Sequence, residues 1–210
     1  MLTRPRSTGG RQASDEAYAT AGDPPSKRRI LDAALRLFAR KGIDAVTVRE
    51  IAAEAGYTNP ALFKFFATKD ALALHLFESC YLQLFDSLHT AAADGLPFDE
   101  RLSAILAVFV SALERDPEAF LFVQDRLREI WPRVSRQTRR KSILALIRSI
   151  LQQGVREGAV DATLPLDLLV AAFTGTLQQF ARMLYFGDFK GPARDWSPAL
   201  ETILRRLVQP

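Results

Sequence analysis

Between Thr47 and Phe66 the chain fits two short helical segments into twenty residues, TVREIAAEAGYTNPALFKFF, and this spacing limits the possible folds more than any other feature. Thr47 precedes Val48, Ile51, Ala52 and Ala55 at helical spacing. Glu50, three residues on, completes a Thr-x-x-Glu capping box, and Gly56 ends the segment. After Tyr57, Thr58 can cap the next helix. That helix tolerates Pro60 in its first turn, where N–H groups have no intrahelical partner, and runs to about Phe66. Two helices joined this tightly through a glycine have helix-turn-helix dimensions.

The flanking sequence continues in helices. From Lys27, the residues Ile30, Ala33, Ala34, Leu37 and Phe38 recur at helical spacing up to Gly42, which suits a left-handed C-cap. Thr68 caps a longer helix from Lys69 to about Ala92. Further helices are predicted over Phe98–Arg115, Pro117 to about Trp131, Thr138–Glu157, Pro165–Phe186 and Pro198–Val208. The breaks are Asp94 to Pro97, Asp116-Pro117, Trp131-Pro132, Gly158, and Gly187 to Pro198. No strand alternation is evident, so the fold class is all-α. Residues 1–26 are rich in Gly, Ser, Thr, Pro and Arg and nearly free of large apolar side chains, which predicts a disordered tail. The organisation is then 1–26 tail, 27–70 helix-turn-helix domain and 71–210 helical domain.

Charge adds a direction. Residues 1–70 hold 12 Lys/Arg against 8 Asp/Glu, while residues 71–210 hold 16 of each, so the net +4 lies in the first third. Residues 1–29 hold 6 cations against 3 anions and residues 30–70 hold 6 against 5, so most of the excess precedes Ile30. A local positive excess suits a polyanion. Ile51, Ala52, Leu62 and Phe66 would face the first helix, leaving Asn59, Pro60, Ala61, Phe63 and Lys64 outward. Such a surface can enter a major groove, and the helix starts at Thr47, Thr58 and Lys69 offer free N–H groups for phosphates. Spacing alone leaves open a helical hairpin that packs only within the protein.

The stretch from Ile30 to Leu72 resembles the N-terminal domain of TetR-family transcriptional regulators. The resemblance rests on Ala33-Ala34, Leu37-Phe38, Gly42, Thr47-Val48, Ile51-Ala52, Ala55-Gly56, Leu62, Phe66, and Lys69 with Leu72. It implies an all-α homodimer whose third helix reads palindromic double-stranded operator DNA, and whose C-terminal domain binds a small effector. It also implies phosphate contacts from Arg28, Thr47 and Lys69, and groove contacts from Asn59, Pro60, Ala61, Phe63 and Lys64, beside the helix start at Thr58. Two positions depart from the family pattern. Phe63 stands where Tyr is usual, which removes a phosphate hydrogen bond, and Pro60 stands where Gly or another small residue is frequent.

For the C-terminal domain the resemblance implies a layout rather than a motif. The last two long helices match the place of a four-helix dimer interface. Leu168, Ala172, Gly175, Thr176, Phe180, Leu200, Ile203, Leu204 and Leu207 are its candidates, with Ala171 and Leu177 beside them. An effector pocket would be lined by Phe77, Tyr81, Phe85, Phe109, Phe122, Trp131 and Phe173, with Gln124, Gln178 and Arg182 as polar anchors. Mostly apolar walls with a few polar groups describe a small-molecule site, and they describe any helical core as well. The expected function is a DNA-binding repressor released by a small hydrophobic or aromatic effector, with helix four as transmitter. The alternatives are a DNA-binding protein without a ligand, and a regulator that activates.

Other classes are disfavoured. No HExxH, CxxC, GxSxG or P-loop pattern occurs, and His75 and His89 lie about 21 Å apart along one helix, too far to share a metal. No enzyme activity, metal or cofactor is expected. A sequence-indifferent nucleic-acid coat is disfavoured by the neutral second part. The longest apolar stretches fall short of the roughly 20 residues a membrane span needs, so no membrane partner is expected. The lone Cys80 and the lack of an apolar leader fit a reducing cytoplasm, and richness in alanine and arginine hints at a bacterial source.

Overall fold

A computed structural model describes residues 22–93 and 95–210. The tail expectation for residues 1–26 lies mostly outside the described residues. Ten α-helices follow one another without a strand among the described residues. Helix α1 spans Pro25–Lys41, α2 Val48–Ala55, α3 Asn59–Phe63 and α4 Lys69–Ala91. Then come α5 Phe98–Arg115, α6 Pro117–Ile130, a 3-10 turn at Trp131–Arg133, α7 Arg136–Arg140, α8 Ile143–Glu157, α9 Leu166–Phe186 and α10 Ala193–Val208.

Several boundaries differ from the sequence expectation, each for a local reason. Helix α1 begins at Pro25, two residues before Lys27, because proline is suited to a first turn. Gly42 has φ +82° but ψ 157°, so it turns the chain through a positive-φ extended geometry and not through a left-handed cap. Helix α3 closes at Phe63, and the Thr58 side chain makes no capping hydrogen bond. The predicted helix over Thr138–Glu157 is two helices. The Ser135 hydroxyl caps α7 by accepting from Thr138 N–H at 3.2 Å, and the Ser142 hydroxyl restarts the chain as α8 by accepting from Ala145 N–H at 3.2 Å. Helix α10 starts at Ala193, and Pro198 lies inside it. In the second turn Pro198 forfeits only the bond to the Arg194 carbonyl. Arg194 is itself anchored, its N–H donating to Glu114 at 3.0 Å.

Two apolar cores hold these helices. The first joins α1–α4 to α6: Ile30, Phe38, Ile51, Leu62, Leu72 and Phe77 pack with Ala119, Phe122, Val123 and Ile130. The second joins the far end of α4 to α5, α8, α9 and α10 through Leu88, Leu102, Phe109, Leu151, Phe173, Phe180 and Leu204. Helix α4 runs through both, with Leu72 to Phe85 in the first and Leu88 in the second. The α8–α5 contact is tight at Gly154, where a Cβ would lie 2.7 Å from Phe98 Cδ2 and 2.5 Å from Val160 Cγ2. Backbone there touches side chain directly, so only glycine fits.

Candidate nucleic-acid interface

The interface is built from the α2–α3 unit and the first turn of α4. Helix α2 starts in the expected capping box. Glu50 N–H donates to Thr47 Oγ1 at 3.2 Å, and Glu50 Oε2 accepts from Thr47 N–H at 2.8 Å and from the Thr47 hydroxyl at 2.9 Å. Lys41 Nζ reaches Glu50 Oε1 at 3.0 Å. The Thr47 N–H and then the Lys41 ammonium hold the Glu50 carboxyl down to about 2. Gly56, at φ +74° and ψ 29°, closes α2 in the left-handed geometry a side chain would strain.

The turn into α3 fixes which face looks outward. Leu62 on α3 is fully buried, and Phe66, just past the end of α3, is nearly so, which pins the inner side of the unit against α1. Pro60, Phe63 and Lys64 are exposed, Phe63 by 49%, and Asn59 and Ala61 are half-buried at their edge. Thr47 and Thr58 are exposed and Arg28 half-buried. The Thr47 hydroxyl already donates to Glu50.

Lys69 corrects the sequence reading of it. Its ammonium does not point toward solvent for a phosphate but donates to the carbonyls of Ile43 and Val46, each at 2.7 Å, and of Asp44 at 3.3 Å. An ammonium has three donors, and three carbonyls take them. What the first turn of α4 offers an anion is its free backbone N–H groups, behind the cap in which Thr68 Oγ1 accepts from Ala71 N–H at 3.0 Å.

The start of α1 is fastened to the same corner. Lys27 Nζ lies 5.9 Å from the Phe66 ring centre and 2.7 Å from Asp23, and the Phe66 and His75 rings sit 5.2 Å apart. Burial lowers the affinity of His75 for a proton, with Lys27 acting in the same direction.

A second helix joins α4 in bridging the two cores. Phe122 of α6 stacks on Phe38 of α1 with ring centres 6.1 Å apart, and Glu118 pairs with Arg40 at 3.6 Å. The sequence reading named α4 alone. The signal for α6 was its apolar run Ala119–Val123, which marks buried positions without saying against what.

The ten pocket candidates do not surround a common cavity. Phe77, Tyr81, Phe85 and Phe122 belong to the first core and Phe109 and Phe173 to the second. Trp131 closes on Tyr81 at 4.9 Å between ring centres, and the Tyr81 hydroxyl accepts from Ile143 N–H at 3.0 Å. Gln124 is half-buried on α6. Gln178 and Arg182 are exposed on α9, with Arg182 pairing to Asp125 at 2.7 Å, so neither lines an enclosed space in the single chain. An open groove of about 640 Å³ between α5 and α10 and a cavity of about 20 Å³ beside Cys80 and Gln83 involve none of the ten.

The interface candidates divide. Phe180, Leu200 and Leu204 are buried in the chain's own second core, as is Leu177, which corrects their assignment to a dimer surface. Leu168 and Ile203 are exposed by 61% and 53% and Gly175 is open, with Ala172, Thr176 and Leu207 half-buried near them. Phe186, which the sequence reading did not name, is exposed by 65% at the end of α9.

Residues 30–76 match the family of bacterial regulatory proteins, tetR family. The repressor KstR2 of Rhodococcus jostii is 26% identical over 153 residues, 71% of this chain and 74% of its own. The fatty acid metabolism regulator protein of Bacillus subtilis is 22% identical over 168 residues, 79% of this chain and 87% of its own. Among solved structures, the ketosteroid regulator KstR2 of Mycobacterium tuberculosis superposes with a TM-score of 0.72 at 20% identity, covering 93% of this chain and all of the other. FadR of Bacillus subtilis, solved in complex with stearoyl-CoA, gives 0.69 at 21% identity, covering 87% of this chain and all of the other. These relatives are transcriptional regulators and not enzymes. The helix-turn-helix region, residues 30–76, thus carries the pattern of the tetR family of bacterial regulatory proteins, and the helical order of the chain is shared with solved regulators of that kind.

Proposed function

We propose that the chain is a transcriptional repressor that binds a palindromic operator as a homodimer, with α3 in the major groove, and that a hydrophobic effector releases it. The observation that carries the DNA-binding part is the exposed face of Pro60, Phe63 and Lys64 on a helix whose opposite side is locked by Leu62 and Phe66. Lys64 can donate to a base edge or a phosphate, and the Phe63 ring can meet a thymine methyl. The N–H groups at the starts of α2 and α4 supply phosphate contacts, with Arg28 beside them.

Two reading helices need two-fold symmetry and half-sites about 34 Å apart. The surface that supports pairing is the outer face of α9 and α10. Leu168, Phe186 and Ile203 leave large apolar side chains in water there, and the open Cα of Gly175 allows a helix to approach closely. Ala172, Thr176 and Leu207 complete the same face.

An acyl-CoA or other long hydrophobic compound is the effector class this reading favours. It draws on FadR of Bacillus subtilis, crystallised with stearoyl-CoA, and on the aromatic cluster Phe77, Tyr81, Phe85 and Trp131. Its entry must part those rings. The response would reach the DNA through α4 and through the α6 contacts Phe122–Phe38 and Glu118–Arg40. A ligand shifts DNA affinity only by its differential affinity for the two states. The closed packing of those rings favours a second reading, a repressor with no ligand. Fluorescence anisotropy on a duplex selected by the chain, titrated with stearoyl-CoA, separates the two. Release at micromolar stearoyl-CoA supports the effector reading, and unchanged binding supports the ligand-free one.

A further inference from the structure

The neutrality of the C-terminal two-thirds hides a segregation of charge. Residues 71–210 hold 16 Lys/Arg and 16 Asp/Glu, yet residues 126–141 hold seven Lys/Arg against the single Glu129. That is +6 within sixteen residues, balanced by −6 over the rest of the region. The stretch covers the end of α6, the 3-10 turn and α7.

Its first half is fixed to the DNA-binding end of the chain. The Arg126 guanidinium lies against the α1–α2 turn, its Nη2 3.0 Å from where a Cβ on Gly42 would be. Arg133 Nη2 lies 3.3 Å from Asp70 in the first turn of α4. From there the segment climbs α4. Ser135 N–H and the Thr138 hydroxyl donate to Glu78 at 2.7 and 2.8 Å, and Lys141 pairs with Asp86 at 2.7 Å. Asp70 and Glu78 are eight residues apart, about 12 Å along the helix axis, so the lower half of the ridge stands close to the level at which α4 meets DNA.

The acidic side chains of α4 that face the ridge are therefore already engaged. Arg136 and Arg140 are exposed and have no side-chain hydrogen bond or ion pair among the described residues. A planar guanidinium matches a phosphate in a bidentate fork, and clustered like charges repel unless a polyanion offsets them.

We propose that the 126–141 ridge is a second DNA-backbone surface, in which Arg133, Arg136 and Arg140 hold phosphates of the duplex flanking the half-site that α3 reads. It rests on the DNA-binding reading above. The test uses the full chain, a duplex it selects from a random-sequence pool, and the same duplex lengthened by about one helical turn on each side. Binding is measured across a salt series for the wild type, Arg136→Ala/Arg140→Ala and Arg136→Lys/Arg140→Lys.

The wild type should bind the longer duplex about tenfold more tightly, with a steeper dependence on salt. The alanine variant should bind the short duplex like the wild type and lose the gain on the long one. Its salt slope should fall by about 0.9 for each phosphate contact removed, and the lysine variant should recover most of it. Equal flank gain and equal slope in wild type and alanine variant, with operator binding intact, would overturn the proposal. So would a variant altered only in its response to stearoyl-CoA, since the ridge would then hold the phosphates of a small effector. A wild-type chain that selects no duplex would overturn the DNA-binding reading and this surface with it.

Discussion

The Nζ of Lys69 lies 2.7 Å from the Ile43 carbonyl oxygen and donates to it, fastening the first residue of α4 to the turn between α1 and α2. With Val46 and Asp44 sharing the same ammonium, one cation sets where the helix-turn-helix sits on the helix that carries it onward. Lys69→Met should cost about 1–3 kcal/mol of stability, because charge-assisted hydrogen bonds are lost and carbonyls near the core are left to water. Lys69→Arg should recover little, since a planar fork cannot aim three donors at three converging carbonyls. Urea denaturation of the two variants measures this, and DNA affinity should fall with stability in both.

Gly154 tests the packing of the second core. Alanine has the higher helix propensity, by about 1 kcal/mol, but a Cβ at this position meets the buried side chains of Phe98 and Val160. The clash should win, making Gly154→Ala less stable by about 1–3 kcal/mol in thermal or chemical denaturation. Gly175→Ala, on the open face of α9, should be neutral or slightly stabilising in a single chain.

His75 links stability to pH. Burial, and then Lys27, hold its imidazole below the ordinary 6.5, against the opposing pull of Asp23 and Glu78. The unfolded chain therefore takes up this proton at a higher pH than the folded one. The stability His75 contributes is complete above about 6.5 and is lost as the pH falls below that value. Melting temperatures at pH 7.5, 6.5 and 5.5 should drop more steeply for the wild type than for His75→Gln.

The outer face of α9 and α10 gives a separate expectation. Leu168→Glu/Ile203→Glu places charges where the homodimer would bury apolar area, and should weaken self-association by about tenfold or more while leaving helicity unchanged. Light scattering across a concentration series checks it. A mass that stays dimeric would move the interface elsewhere.

How far the sequence reached depended on the range of the interactions involved. Thr47 and Glu50 are three residues apart, and their capping box was legible because nothing outside that turn is needed to make it. The inner and outer faces of α3 were legible for the same reason, from Leu62 and Phe66 at helical spacing. The Lys69 ammonium was misread because its partners lie 23 to 26 residues away. Leu168 and Phe180 are both large and apolar on one helix, and only the placement of α5 and α10 buries the second and leaves the first in water. The break between α7 and α8 was missed because the Ser142 cap that restarts the chain sits inside a stretch that reads as continuous helix. The basic ridge was legible in principle, and a balance taken over 140 residues averaged it to zero.

Competition binding of the full chain to a self-selected duplex and to a scrambled duplex of the same composition tests the central claim most directly. The account predicts a preference of about 10³-fold or more for the selected duplex. It also predicts that Lys64→Ala, with its melting temperature unchanged, loses about 1–3 kcal/mol of that binding. A wild-type preference near one, or a Lys64→Ala variant that binds both duplexes as the wild type does, would contradict α3 as the reading helix.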